Sequence, residues 1–294
     1  MAILDQQDVW AAYEELFYQN AKAPNDFGIA AEAMSDLLTE LTQRVGQDNR
    51  LQALIQKLAD GKTTYSDLDE FALLLGKHLG NAMYYTMPAY VTWPDGFLTK
   101  EVADAIIPPG LRANYETIIE YARVTQKGLN ERAKLGLNAV VPDYDLNREY
   151  GLIDYVTGKP WSDRAKSFKD AVAENGQYYA DESAKVNIKA HYDVGLHPKI
   201  KRVAAWNCCK WCTNLAGTYD YAPNMDTEVF RRHSNCNCKV LYDPGDSKQY
   251  QNVHSKKWST YEELAQRKAA QPTRPTSTEI LDRLAGYLED SNNG

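Results

Sequence analysis

The chain has no long apolar run. None approaches the roughly 20 consecutive residues that a helix needs to cross a bilayer, which excludes a helical membrane span and leads us to expect no membrane partner. Its first residues, Met1-Ala2-Ile3-Leu4-Asp5-Gln6-Gln7, have neither the basic start nor the apolar middle of a secretory signal, so folding in a reducing cytosol is expected. Positive charge is short as well: 33 Lys and Arg face 40 Asp and Glu, a formal net charge of -7, which speaks against nucleic-acid binding by the whole surface. Phenylalanine is scarce, 6 against 20 tyrosines. Tyrosine puts a polar tip on an apolar body and suits faces that stay half exposed or are covered on assembly. Missing too are a Gly-rich phosphate loop, an H-E-x-x-H helix and a nucleophile elbow, and no repeat of fixed period occurs. A non-enzymatic chain is therefore expected.

What is present suffices for a substantial core. With 294 residues, 44% of them hydrophobic and 25% charged, the chain can fold without covalent staples. Apolar residues recur at helical spacing from Trp10, Tyr13, Leu16 and Phe17, then through Met34, Leu37, Leu38 and Leu41, which predicts two or three helices before residue 60. Thr64-Tyr65-Ser66-Asp67-Leu68-Asp69 opens the next helix, with Ser66 as cap and Asp69 bonding back, and Leu68, Phe71, Leu75 and Leu79 mark its face. His78 lies beside that face and is read as packed or solvated. Trp93-Pro94-Asp95-Gly96 is a turn inside a loop or small hairpin between Pro88 and Pro109. Helix is expected from about Leu111 to Leu137, a looser segment from Val140 to Gly158, and a long helix from Trp161 towards Tyr192 that stops near Gly195.

The expected fold is mainly α. A helical body spans 1–197, a small Cys/His-rich module with short β-strands spans 198–258, and a linker with a C-terminal amphipathic helix spans 259–294. In the last part, Gln271 to Ser277 is linker by composition, and Ile280, Leu281, Leu284, Tyr287 and Leu288 share one side of a short helix.

Cysteine is sparse but concentrated: all 5 lie between positions 208 and 238. The spacing is C-x2-C from Cys209 to Cys212, then 20 residues, then H-x2-C-x-C through His233, Cys236 and Cys238. A two-residue spacer lets two thiolates converge on one zinc ion at about 2.3 Å. On an extended strand Cys236 and Cys238 would point to the same side, and Cys208 would face away from Cys209. These are five candidate ligands for four positions: Cys209, Cys212 and Cys236, joined by either His233 or Cys238. Three other readings stay open, namely a disulfide from Cys212 to Cys236 or Cys238, reduced structural thiols, and a Cys–His nucleophile pair built on His233.

Around these residues the charge inverts. From Lys199 to Lys239 seven cations face three anions. Lys199, Lys201, Arg202, Arg231, Arg232 and Lys239 are the candidate contacts to nucleic acid or to an acidic protein partner.

The run Cys209-Lys210-Trp211-Cys212-Thr213-Asn214-Leu215-Ala216-Gly217-Thr218-Tyr219, followed by Val229-Phe230-Arg231-Arg232-His233-Ser234-Asn235-Cys236-Asn237-Cys238-Lys239-Val240, resembles the C-terminal signature of tailed-phage minor head proteins, the head morphogenesis family related to the minor head protein of phage Mu. Gln251 to Trp258 is similar to an exit segment of such proteins, while Asn237 stands where arginine is frequent. The resemblance covers about 60 residues, roughly a fifth of the chain. It implies a virion protein assembled in the bacterial cytoplasm, bound to the portal or the major capsid protein, acting in head assembly or in DNA packaging and ejection. The other expectation is a nucleic-acid-handling, metal-dependent protein, a DNA-guiding factor or a nuclease.

Overall fold

A computed structural model describes residues 29–225, 227–242 and 244. The helix expected around Trp10, the exit segment, the linker and the C-terminal helix lie outside the described residues. Among the described residues six helices form the body: α1 (Ile29–Gly46), α2 (Asn49–Ala59), α3 (Tyr65–Thr86), α4 (Lys100–Arg132), α5 (Leu146–Thr157) and α6 (Trp161–Asp193). The module follows with β1 (Lys199–Val203), a short α7 (Lys210–Asn214), β2 (Gly217–Asp220) and β3 (Lys239–Tyr242). Its three strands form an antiparallel sheet in the order β2-β1-β3. The mainly α expectation holds.

Local chemistry starts the helices, with some differences from expectation. Asp48 caps α2 by accepting from the amides of Arg50 and Leu51 at 2.9 and 3.1 Å. The capping box of α3 is Thr64 with Asp67, whose carboxylate accepts from the Thr64 amide at 2.8 Å. It lies two residues before the expected Ser66–Asp69 box, and this frees Asp69 to face inward. His78 bonds the Asp48 carboxylate at 2.7 Å and so ties α3 to the start of α2.

The 88–109 region is a small hairpin only at Val91 and Leu98. From Thr99, whose hydroxyl accepts from the Val102 amide at 3.3 Å, α4 is already helical and continues through Pro108 and Pro109. Two prolines within a helix remove two donors. Here the first turns are held instead by Val102, Ala103, Ile106 and Ile107, all 0–1% exposed. The segment expected to be loose contains α5, capped by Asp145, with Glu149, Ile153 and Val156 on its buried face. At the other end α6 stops as read, with Gly195 at φ +90°.

The most extensive helix pair is α3 with α6. Gly76, Gly80 and Gly176 make it possible. A Cβ on Gly80 would meet the Lys169 carbonyl oxygen at 2.5 Å, and one on Gly176 the Ala72 carbonyl oxygen at 2.6 Å. The helices therefore touch backbone to backbone.

On this pair the sheet is laid. Along β1, Ile200 and Arg202 point inward while Lys199, Lys201 and Val203 point out, the period-two alternation of a half-buried strand. Ile200, Val229, Phe230, Val240 and Tyr242 belong to the same apolar core as the helices. A second, separate cluster is made by Cys212, Cys236 and Cys238.

Candidate metal centre

Cys209 is the N-cap of α7 and Cys212 sits in its first turn. The C-x2-C pair is thus one turn of helix, and a spacing of three brings both thiols to one side. Cys208 stands outside the cluster, its Sγ 3.3 Å from the Thr213 hydroxyl. The second limb behaves as read: Cys236 and Cys238 are both buried and Asn237 between them is exposed, just ahead of β3. Asn235 makes the preceding bend at φ +60°, a left-handed conformation that asparagine tolerates.

These limbs bring the five predicted ligands into two overlapping groups of three. Cys209, Cys212 and His233 form one group that can hold a metal ion, and Cys212, Cys236 and Cys238 form another, with Cys212 common to both. His233 Nε2 lies 3.4 Å from Cys209 Sγ and 3.2 Å from Cys212 Sγ, and Cys212 Sγ lies 3.6 Å from Cys236 Sγ. All five cysteines are free thiols, and that sulfur pair stands well beyond the roughly 2.05 Å of a disulfide. Facing the Ser234 carbonyl at 2.8 Å, His233 Nδ1 donates its proton there, which leaves Nε2 as the lone-pair nitrogen on the sulfur side. The Ala205 amide donates to Cys238 Sγ at 3.4 Å.

Electrostatics divide the thiols. Burial, together with the neighbouring thiols of Cys236 and Cys238, pushes Cys212 up to about 12. Burial raises Cys238 also, whereas hydrogen bonding from the Cys212 amide at the helix start lowers exposed Cys209. A cation bound here would favour the thiolate form of each ligand, because it offsets the charge that burial penalises.

The basic contacts are redistributed. Arg202 is 1% exposed and Arg232 is turned into the protein, so neither belongs to a surface patch. Arg232 is bound by two carboxylates of the body, Asp69 at 2.5 Å and Asp181 at 2.8 Å. It also donates to the carbonyls of Cys238 at 2.5 Å and Cys236 at 3.4 Å. Burial lifts the Asp69 carboxyl above its usual range while Arg232 pulls it down, and Asp181 and Asp69 hold Arg232 more firmly protonated. Lys239 reaches back to Ser66, 2.9 Å from its hydroxyl. Lys199 pairs with Asp220 and Arg231 with Glu228, each at 3.2 Å on the surface. Lys201 is exposed.

Asp69 and Asp181 are the members of this arrangement that the sequence did not suggest, Asp69 having been expected in the capping box of α3. A signal existed. Asp69 shares a stripe with Ala72, Gly76 and Gly80, and Asp181 with Gln177, Ala184 and Ile188, so each lies on an inward face. Comparison of the chain with family models, with curated proteins and with solved structures finds no match.

Proposed function

We propose that this chain is a structural minor head protein of a tailed bacteriophage, docking on the portal or the inner capsid of the virion and acting in head assembly or in DNA packaging and ejection, with zinc in its Cys/His centre. The observation that carries this reading is the Cys209-x2-Cys212 and His233-x2-Cys236-x-Cys238 frame. It is the frame that resembles the minor head family, and its members fall into two three-donor groups that share Cys212. Zinc suits the donors. Tetrahedral bonds of about 2.3 Å to sulfur and 2.0–2.1 Å to nitrogen give edges of about 3.8 Å between sulfurs and about 3.6 Å between sulfur and nitrogen. The separations of 3.6, 3.4 and 3.2 Å lie near these edges. Such an ion would be structural: it would fix the fold of residues 204–238 and supply no step of a reaction.

The DNA-handling alternative has less support. Of its six candidate contacts, Arg202 and Arg232 are turned inward, and Lys199 and Arg231 hold neighbouring carboxylates. Coexpression of the full chain with the portal and major capsid proteins of the same phage tests the docking role. Co-purification with one of them is expected, and recovery of the chain with neither overturns it. Elemental analysis of protein purified without added metal should return about one zinc per chain; a value near zero would remove zinc from the proposal.

A further inference from the structure

The module contains a buried cation whose counter-charge is not a carboxylate. Arg202 is 1% exposed. Nη1 donates to the Val229 carbonyl at 2.7 Å, Nη2 faces the sulfurs of both Cys212 and Cys236 at 3.9 Å, the guanidinium carbon lies 5.7 Å from the Trp211 ring centre, and Nε has no partner. Among the described residues no carboxylate pairs with it. The neighbouring buried charges are already balanced: Asp69 and Asp181 supply two negative charges, while Arg232 and the nearby Lys239 supply two positive ones. Burying a guanidinium without an anion costs several kcal/mol, and arginine does not escape by losing its proton. The sulfurs of Cys212 and Cys236 are what remains to face it.

We infer that Arg202 is a positioning residue of the metal centre, holding Cys212 and Cys236 as ion-bound thiolates, and that the centre comprises three thiolates, the His233 imidazole and one divalent cation. This inference rests on the metal reading above. Three thiolates and a neutral imidazole around a dication carry a net charge of -1, which Arg202 cancels. Four thiolates would leave one negative charge uncancelled, and two would leave Arg202 unmatched. On binding, the three thiol protons pass to solvent. The third thiolate is Cys209 or Cys238, each of which shares a three-donor group with Cys212. Arg202 then plays the part that hydrogen-bond donors beyond the ligands play in metalloproteins, fixing sulfur orientation and charge.

The test uses the full chain with zinc and cobalt(II) as probes. Competition against a chromophoric chelator should give Arg202→Met a zinc affinity about 10–100-fold weaker than the parent, with Arg202→Lys recovering most of the loss. Unchanged affinity in a folded Arg202→Met variant overturns the role of Arg202. Should that variant not fold, judged by far-UV circular dichroism, the cobalt spectrum of the parent and of two cysteine variants decides. With three thiolates, the sulfur-to-cobalt charge-transfer intensity falls by about a third in one of Cys209→Ser and Cys238→Ser and stays unchanged in the other. A fall in both, or in neither, overturns the inferred composition. A parent chain that takes up neither ion overturns the metal reading itself, a result distinct from either failure.

Discussion

At the scale of single residues, Arg232 is the most consequential side chain outside the thiols. It spans the two carboxylates of α3 and α6 and the carbonyls of Cys236 and Cys238, so one guanidinium fastens the second cysteine limb to the body. Its loss leaves two buried carboxylates without the guanidinium that pairs with both. We expect Arg232→Met to lower stability by about 3–5 kcal/mol, read from urea unfolding. The triple variant Asp69→Asn, Asp181→Asn, Arg232→Met should recover most of that, and a single variant as stable as the parent would refute the clamp. His191 is the second such residue. It is 1% exposed, bonded through Nδ1 to the Tyr242 hydroxyl, and burial depresses it to about 4. The unfolded chain titrates near 6.5, so between these values it takes up a proton that the folded chain refuses. Stability therefore falls as pH drops from about 6.5 towards 4, at up to about 1.4 kcal/mol per pH unit. The pH dependence of unfolding should be shallower in His191→Gln, and identical slopes would show that His191 does not drive it.

At the scale of elements, the crossing of α3 and α6 decides the architecture. Gly176→Ala places a methyl 2.6 Å from the Ala72 carbonyl oxygen and 3.3 Å from Ile118 Cδ1, with backbone on the near side that cannot step away. Such overpacking costs about 1–3 kcal/mol. Gly151, in α5, meets nothing within 4 Å, and its change to alanine should instead add about 0.5–1 kcal/mol by removing backbone freedom from the unfolded chain. Opposite shifts of the thermal midpoint are the expected result. The legibility of the elements follows the same physics. Helices α1 and α6 were readable because their apolar spacing, ends and breakers agree. α5 was not, because its two glycines and Pro142 outweighed an ordinary Asp145 cap. The first turns of α4 were hidden by Pro108 and Pro109, since buried contacts of Ile106 and Ile107 override a local rule.

At the scale of the whole molecule, the boundary near residue 198 marks a change from helix to sheet while the core runs across it. Tyr242 packs against Tyr65 and His191, and Ile200 and Val240 join the helical core. The thiol cluster forms its own small centre beyond that sheet. Cys212→Ser should therefore loosen residues 204–238 first and leave the α3–α6 pair folded. Hydrogen exchange should speed up in the first region and remain slow in α6, with most far-UV helical signal retained. Simultaneous loss of protection in both would mean that the centre and the body unfold as one unit.

The sequence by itself determined the helical body, the place where it gives way to strands, and the Cys and His donors that gather into two overlapping groups, because periodicity and close spacing act over a few residues and survive without tertiary context. The C-x2-C pair needed only one turn of helix, and Cys236 and Cys238 only one extended step. What only the tertiary structure decided is where each charge goes. Arg202, Arg231, Arg232 and Asp69 all read as surface charges in a sequence, yet Arg202 and Asp69 are buried, Arg232 is half-buried and turned inward, and Arg231 is exposed. That choice depends on partners up to 163 positions away in the chain, and no local pattern records them.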